Sequence, residues 1–181
     1  DPTIYTGAPP SADGRSDAEM RTYAFLDKLG IAYQRADHEH TDTIEACDAV
    51  ETLLGIHICK NLFLCNRQGT EFYLLMMPGH KVFKTKILSH ILGTARLSFA
   101  PAENMEALLG LRPGSVSVLG LINDTGKKVH LVIDRDVLAD EYIGCHPCVS
   151  TSSLKIKTSD LLEKILPELS ELSDSLWHHP E

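Results

Sequence analysis

Residues 58–64 read ICKNLFL, an apolar strand pattern that one lysine, Lys60, interrupts just before Asn61. Burying an unpaired ammonium group costs several kcal/mol, so a lysine within a central strand needs a partner or a route to solvent. Lys60 either begins the strand and extends its charge into water, or it lies at the edge of a pocket for an anionic or carbonyl-bearing substrate. The later part of the chain favours the second interpretation.

The pattern around this segment predicts short hairpins mixed with helices. One hairpin joins strands at residues 60–65 and 72–77, and a second joins strands at residues 115–122 and 128–133. Helices are expected at residues 16–29, 43–54, 84–92, 101–109 and 158–166. Further strands are expected at residues 31–37, 142–144 and 153–156. Local hairpins with scattered helices predict an α+β fold with a mainly antiparallel or mixed sheet, not a doubly wound one.

The 181-residue length is enough for one domain with its own core. We expect a loose arm at residues 1–15, the domain at residues 16–170 and a tail at residues 171–181. No apolar run approaches the roughly 18 residues of a membrane span, and the N-terminus lacks the apolar core of a signal peptide, so no membrane partner is expected. Five cysteines at irregular spacing argue against a disulfide framework and predict a reducing, cytoplasmic location.

The charge of the chain is unevenly distributed. Residues 57–100 carry six basic side chains and one acidic one, a net charge of +5, whereas the whole chain carries −8. An acidic body with one basic sector fits local contact with a phosphate backbone rather than general nucleic-acid binding. For the lysines in this sector, Lys81, Lys84 and Lys86, a solvated helix face is the alternative.

The sequence CHPC at residues 145–148 contains the C-x-x-C pattern of redox and zinc sites. Thioredoxin-like chemistry needs this pair at the start of a helix, and structural zinc needs a second pair, which Cys47, Cys59 and Cys65 do not provide. Small apolar cysteines around a functional His-Pro turn are favoured, and a redox or zinc protein remains the alternative. The chain has no G-x-S-x-G, P-loop or G-x-G-x-x-G motif, which weakens the case for serine hydrolases, NTPases and dinucleotide enzymes.

Four motifs occur in a fixed order: KNLFL at 60–64, RLSFA at 96–100, LGLRPGSVSVLGLIND at 109–124 and GCHP at 144–147. Together they resemble the YbaK/ProX superfamily of aminoacyl-tRNA deacylases, which is related to the editing insertion domain of prolyl-tRNA synthetases. The third motif is most similar to the free-standing, alanyl-specific ProX (PrdX-like) branch. The resemblance implies a mixed α/β domain with a curved, partly barrel-like sheet surrounded by helices.

The resemblance also implies a set of site residues. Lys60 matches the functional lysine of the family, and His146 lies in its late G-x-H-P motif; both are expected to be catalytic. The residues expected around the substrate are Thr43, Glu45, Asn61, Asn123, Asp124, Gly144 and Pro147. The chain departs from the family at Cys145 and Cys148, and at residues 149–151, where members commonly carry an asparagine. These departures bear on which amino acid is removed.

The implied reaction is hydrolysis of the ester that joins a mischarged amino acid, above all alanine on tRNA(Pro), to the terminal ribose. Lys60 is expected to hold the terminal phosphate or the polarised carbonyl, and Lys81, Lys84 and Lys86 the phosphates of the acceptor stem. No metal or other cofactor is implied. The expected partner is the acceptor end of mischarged tRNA, with prolyl-tRNA synthetase as a second candidate. A Cys- or Ser-tRNA deacylase of the same family and a non-catalytic tRNA-binding module are the alternatives.

Overall fold

Two β-sheets and six helices build the fold, as a computed structural model shows for residues 2–40, 44–169 and 176–177. The strands are β1 (Tyr5–Thr6), β2 (Tyr33–Asp37), β3 (Cys59–Cys65), β4 (Phe72–Pro78), β5 (Ser98–Phe99), β6 (Val129–Asp134), β7 (Tyr142–Cys145), β8 (Ser152–Lys157) and β9 (Leu176–Trp177). The helices are α1 (Asp17–Lys28), α2 (Ile44–Leu54), α3 (Thr85–Leu92), α4 (Ala102–Leu109), α5 (Thr158–Asp160) and α6 (Leu166–Leu169). Two 3-10 helices, Val118–Asn123 and Arg135–Ala139, and a π-helical segment, Leu161–Ile165, complete the described elements.

The two sheets differ in strand direction. The first has the order β1-β2-β8-β7 and is antiparallel throughout. The second has the order β5-β3-β4-β6-β9, in which β3 is antiparallel to its neighbours while β6 runs parallel to β4 and β9. An isolated parallel bridge between Ile58 and Gly144 links the sheets, which do not close into a barrel. The predicted α+β class with a mixed sheet is confirmed.

The predicted hairpin of β3 and β4 is present, and Asn66 organises its turn. The Asn66 Oδ1 atom accepts hydrogen bonds from the backbone N–H groups of Thr70 at 2.8 Å and Glu71 at 3.0 Å. Its Nδ2 atom donates to Thr70 Oγ1 at 2.8 Å. Because side chains alternate along a strand, consecutive residues of β3 face opposite sides of the sheet. Lys60 and Asn61 are therefore on opposite faces.

Each face of the second sheet has its own core. Phe63 and Met76 belong to the largest apolar cluster, which also includes residues of α1, α4 and the helical segment at 161–169. Leu64 and Leu75 lie on the other face, in a cluster that includes Leu88 of α3. A third cluster packs α2 against the first sheet. Lys60 shares the alternation of Leu64, so it lies on the α3 side of β3 and outside the largest core.

The predicted hairpin at residues 115–133 is wrong. Residues 118–123 form a 3-10 helix, and β6 pairs in parallel with β4 instead of with its neighbour in sequence. Ser117 caps the helix by accepting from the Leu119 N–H at 3.2 Å. The absent side chain of Gly120 makes room for Leu111, whose Cδ1 atom would lie 2.6 Å from a Cβ atom there. These tertiary contacts override an apolar run that is typical of a strand.

The last helical segment continues past its predicted end at Leu166. Its central part, Leu161–Ile165, is π-helical, and the Leu166 N–H reaches the carbonyl of Leu161. Pro167 lacks an N–H and its ring crowds the carbonyl four residues earlier, which interrupts an ordinary α-helix. A wider π turn just before Pro167 relieves this crowding, so the helix extends to Leu169.

The N-terminal segment is attached to the first sheet, in contrast to the expected loose arm. Tyr5 and Thr6 pair with Arg35 and Gln34 of β2, and the Arg35 guanidinium lies 4.5 Å from the centre of the Tyr5 ring. This cation–π contact and the added strand hold residues 5–6 in place. Within the described ranges, no helix has the length and apolarity to cross a membrane.

Candidate active site

A cleft of about 860 Å³ opens beside Lys60. Its walls come from α2, the start of β3, the end of β4, the 3-10 helix Arg135–Ala139 and the start of β7. Four of its lining residues are acidic: Asp48, Glu51, Asp136 and Asp140. A single domain thus brings one lysine and several carboxylates, distant in sequence, to one concave surface.

The Lys60 side chain is half-buried, and its ammonium group is held in place by the loop that follows β4. Lys60 Nζ donates a hydrogen bond to the backbone carbonyl of Lys81 at 2.5 Å. An ammonium group has three donor hydrogens, and this carbonyl engages one of them. Among the residues that the structure describes, the other donors point to no further partner and can reach a substrate oxygen, as the expected role of Lys60 requires.

The Lys81 side chain has a different environment from the one the sequence predicted. It is fully buried, with Nζ 3.0 Å from Asp134 Oδ2 and 2.7 Å from Asp136 Oδ2. Burial alone would lower the pKa of Lys81, but the two carboxylates outweigh it and raise that pKa, so the side chain stays charged. A buried ammonium group already paired with two carboxylates does not reach RNA phosphates. The structure therefore contradicts the tRNA contact expected at Lys81.

Gly144 connects the G-x-H-P motif to the strand that carries Lys60. It pairs with Ile58, two residues before Lys60, and a Cβ atom at Gly144 would lie 2.3 Å from Ile56 Cδ1. No side chain fits there unless Ile56 moves. Gly144 is thus a packing requirement, and neither it nor Pro147, which is also buried, lines the cleft.

His146 lies in the turn between β7 and β8 and does not line the cleft. Its Nδ1 atom is 2.8 Å from the carbonyl of Ser152, which can only accept, so Nδ1 carries a hydrogen and a neutral ring leaves Nε2 as an acceptor. Burial lowers the pKa of His146, and nearby His38 acts in the same direction, whereas the bond to Ser152 opposes them. The imidazole is therefore neutral at neutral pH.

Asn61 lies away from the cleft, on the opposite face of β3. It borders a smaller cavity of about 280 Å³ that Phe63 and Met105 also line. Its Oδ1 atom is buried and has no hydrogen-bond partner among the described residues. The structure does not bring Asn61 together with Lys60.

Asn123 and Asp124, which were predicted to contact the substrate, form hydrogen bonds within the fold instead. Asn123 Nδ2 donates to the carbonyl of Leu109 at 2.8 Å, which satisfies the end of α4. The Asp124 carboxylate accepts from the N–H groups of Lys128 at 3.1 Å and Val129 at 2.8 Å. Neither residue lines the cleft.

The remaining predicted contacts are at the start of α2. Thr43 lies outside the described residues. Glu45 is exposed in the first turn of the helix and does not line the cleft. The α2 residues that line the cleft lie further along the helix and are Cys47, Asp48 and Glu51. Glu51 Oε2 accepts from the Ile58 N–H at 2.6 Å, which ties α2 to the start of β3.

Sequence reasoning missed the carboxylates of the cleft and those that pair with Lys81, and one signal could have found two of them. Asp134 and Asp136 form a D-x-D pair directly after an apolar strand. A strand end commonly presents such side chains at the edge of a sheet, where sites occur. Glu51 and Asp140 carry no comparable signal, because each stands in an ordinary polar context.

Cys145 and Cys148 are buried and Cys59 is half-buried, and all three have the properties of structural residues. Burial raises the pKa of Cys59 to about 12, the pKa of Cys148 to about 11 and the pKa of Cys145 further still. The thiols are therefore protonated at neutral pH, and the protonated form is neither the nucleophile nor the metal ligand. Among residues 2–40, 44–169 and 176–177, no group of three or more His, Cys, Asp or Glu side chains could hold a metal ion.

A second depression, the basic groove, lies on α3 and the loop that follows it. It has a volume of about 690 Å³, and its charged or titratable residues are Lys84, Lys86, His90 and Arg96. All four are exposed. Two of the three predicted phosphate-binding lysines thus lie together, and Arg96 joins them.

The sequence of the chain matches the family described as "Aminoacyl-tRNA editing domain" over residues 38–164. The chain belongs to the aminoacyl-tRNA editing family. The matched range contains the cleft and Lys60, together with the basic groove. As a member of this family, the protein is an aminoacyl-tRNA deacylase, a hydrolase.

Two curated relatives support this membership. The chain is 31% identical over 150 residues to the prolyl-tRNA editing protein ProX of Acetoanaerobium sticklandii, a match that covers 83% of this chain and 91% of the relative. It is 30% identical over 149 residues to the prolyl-tRNA synthetase associated domain-containing protein 1 of Danio rerio, covering 81% and 80% of the two chains.

Solved structures share the editing-family fold. A candidate trans-editing enzyme for prolyl tRNA synthetase superposes with a TM-score of 0.63 at 16% identity, over 81% of this chain and 90% of the other. The hypothetical protein APE2540 superposes with a TM-score of 0.62 at 19% identity, over 80% and 92%. At these identities the likeness concerns the fold alone.

Proposed function

We propose that the protein edits prolyl-tRNA in trans and that its main substrate is Ala-tRNA(Pro), which it hydrolyses to alanine and tRNA(Pro). The observation that carries this proposal is the Lys60 ammonium, fixed at the wall of the cleft by the Lys81 carbonyl. The assignment of prolyl-tRNA as the RNA substrate is supported by the ProX relative, because the match covers 91% of that protein. The alanine assignment rests on the third sequence motif.

The Lys60 ammonium would bind the carbonyl oxygen of the ester and stabilise the negative charge that develops on it. Water forms the new bond to the carbonyl carbon, the bond to the ribose O3′ breaks, and O3′ takes up the proton. The neighbouring 2′-hydroxyl of the substrate would orient the water. One well-placed donor to a developing oxyanion is typically worth about 3–4 kcal/mol.

The charge of the cleft favours the carbonyl role of Lys60 over a phosphate role. Asp48, Glu51 and Asp140 surround the same space, and carboxylates repel phosphates but attract the α-ammonium group of an aminoacyl ester. We therefore assign the aminoacyl end to the cleft. Lys84, Lys86 and Arg96 of the basic groove would hold the phosphates of the acceptor stem.

Selection would follow the principle of a second sieve. A synthetase pocket made for proline discriminates weakly against alanine, since one or two missing methylenes are worth only about 1–3 kcal/mol. An editing cleft that excludes the proline ring protects the correct product. In this scheme the neutral His146 ring donates from Nδ1 to the Ser152 carbonyl and so orders the β7–β8 turn.

The test is deacylation of tRNA(Pro) charged separately with Ala, Cys, Ser and Pro, with enzyme well below substrate. We expect many turnovers on the alanyl form and none on the prolyl form. Faster cleavage of the Cys or Ser form would replace the alanine assignment with another deacylase of the same family. Binding without turnover on any of the four would contradict hydrolysis and indicate a non-catalytic tRNA-binding module.

A further inference from the structure

Lys60 and Lys81 contact each other beside the cleft. The backbone carbonyl of Lys81 accepts the hydrogen bond from Lys60 Nζ, while the Lys81 side chain extends the other way into the protein and pairs with Asp134 and Asp136. The side chains of Lys81 and Asp134 are both fully buried. The same residue thus contacts the cleft with its main chain and is anchored by its side chain.

We propose that Lys81 is a positioning residue, whose buried ion pair with Asp134 fixes the carbonyl that orients the Lys60 ammonium. The inference rests on the proposed function for the role of Lys60. Lys81 itself contacts no substrate in this scheme. Its action passes through the loop at residues 79–84, which we call the Lys81 loop.

The Lys81 loop has no helix or strand of its own to hold it. It is fixed at its start because Gly79 packs on Ile58, the residue before β3: a Cβ atom at Gly79 would lie 2.9 Å from the carbonyl oxygen of Ile58. Further along, the Lys81 N–H bonds to the carbonyl of Pro78 at 3.2 Å. The ion pair then ties the loop to the end of β6. Loops connected only by turns sample several conformations, so a buried side-chain anchor narrows the positions of its carbonyl.

Asp134 is suited to this anchoring because it is itself rigid. It is the last residue of β6, and its Oδ1 atom accepts the Asp136 N–H at 3.0 Å, which caps the helix Arg135–Ala139. Its other oxygen, Oδ2, meets Lys81. A carboxylate held by a strand and a helix cap gives the ammonium of Lys81 one fixed point.

A buried ion pair is weak evidence of stability, because desolvating two charges offsets most of their attraction. Apolar residues of similar volume are often as stable or more so. If the pair served stability alone, two neutral residues of similar volume would stabilise the fold equally well. The contact with Lys60 gives this pair a second consequence, namely the orientation of the catalytic group.

The test is a double-mutant cycle with the neutral pair Lys81→Met and Asp134→Asn, made in wild type and in Lys60→Ala. Asparagine keeps an oxygen that can accept the Asp136 N–H, so the helix cap survives. We expect the neutral pair to lower kcat at least about fivefold in wild type and less than about twofold in Lys60→Ala, with KM for tRNA within about twofold. Equal losses in both backgrounds would overturn the proposal.

A second readout does not depend on activity. Acetylation by acetic anhydride, followed by mass spectrometry, measures how freely each lysine amine reacts. We expect Lys60 to react at least about threefold faster in the neutral-pair variant, because its hydrogen bond to the Lys81 carbonyl is weakened there. Lys164, on the last helical segment, serves as the internal reference and should not change. An unchanged acetylation rate of Lys60 would overturn the proposal. This result does not depend on whether the protein hydrolyses aminoacyl-tRNA.

Tyr23→Phe is the control for general destabilisation, because it removes a buried hydrogen bond to Glu19 in the largest core, away from the cleft. It should leave kcat per folded molecule unchanged. If the neutral pair does not fold, Asp134→Asn alone replaces it, since it removes the proposed ion pair, keeps the oxygen that caps the helix, and leaves the Lys81 ammonium beside Asp136, whose side chain is 41% exposed. The same cycle with Lys60→Ala and the same acetylation assay then decide the matter.

Discussion

Gly144 and Ile56 pack so closely that a Cβ atom on the glycine would lie 2.3 Å from the Cδ1 atom of the isoleucine. Gly144 also pairs with Ile58 and so links the first sheet to the strand of Lys60. The contact is between buried groups, and a methyl group there requires one of them to move. It couples the stability of the domain to the position of the cleft.

Gly144→Ala should destabilise the fold by about 1–3 kcal/mol, the usual cost of overpacking a core. Chemical unfolding measures this change. Ile56→Val removes the Cδ1 atom, so the double variant Gly144→Ala with Ile56→Val should recover part of the loss. Additive losses would show that the overlap with Ile56 is not the cause.

Lys60→Ala should lower the rate of deacylation at least about tenfold, roughly 1.4 kcal/mol of transition-state stabilisation, because the donor to the ester carbonyl is lost. The melting curve should change little, since Lys60 is only half-buried. Single-turnover kinetics and thermal unfolding check both statements, with Lys164→Ala as the control. Full activity would remove Lys60 from the mechanism.

Charge reversal of Lys84 and Lys86 to Glu should raise KM for tRNA and leave the amino-acid preference unchanged, because these residues line the basic groove and not the cleft. Each lost phosphate contact should flatten the salt dependence of binding by about one unit or slightly less. Binding measured over a range of salt concentrations gives this slope. Lys157→Glu with Lys164→Glu makes the same charge change elsewhere, and an equal effect there would point to net charge alone.

Replacing Cys145 and Cys148 together with Ala should leave turnover per folded molecule within about threefold of wild type, since protonated thiols take no part in the chemistry. The Thr22 hydroxyl donates to Cys148 Sγ at 3.3 Å, so some loss of stability is expected. Turnover and metal content of the purified variant are the measurements. Activity restored by added zinc would instead support a metal role for the CHPC motif.

The stability of the domain should fall as the pH drops below 6.5, the ordinary pKa of histidine, because burial lowers the pKa of His146. The unfolded chain then binds a proton that the folded chain resists, so protonation favours unfolding. Unfolding free energies measured between pH 8 and pH 5 should show a smaller decrease in His146→Gln. An unchanged pH dependence would assign the decrease to other groups.

A separate acid transition is expected from Asp37. Burial alone would raise its pKa, but hydrogen bonds from Arg35, Arg15 and Ser152 outweigh this and lower the pKa from 3.8 to about 2. The resulting stabilisation is present above pH 3.8 and is lost as the pH falls towards 2. Asp37→Asn should remove this transition in acid titrations followed by circular dichroism.

The sequence predicted the elements whose signals are local. The turn around Asn66 and the glycines that end α3 and α4 in the left-handed conformation, Gly93 and Gly110, lie beside the strands or helices they define. The motifs also led to the correct family and reaction class. Lys60 lines the cleft, and its catalytic role stays a prediction.

The errors concern contacts between distant residues. Hydrophobic pattern alone does not distinguish a strand at residues 115–122 from a 3-10 helix fixed by Ser117 and Gly120, and it does not reveal that β6 pairs with β4. The sequence shows that Lys81 is basic, but it does not show whether this side chain contacts RNA or a carboxylate 53 residues away. Only the fold brings Asp134 to it.

The alternation of Lys60 and Asn61 gives the hairpin turn a consequence for catalysis. A slip of one residue in the pairing of β3 with β4 would exchange the two faces of the strand, placing the amide in the cleft and the ammonium among apolar side chains. The register is set by Asn66, roughly 20 Å along the strand from Lys60, through its hydrogen bonds to Thr70 and Glu71. A surface asparagine far from the substrate thus determines which functional group the cleft presents.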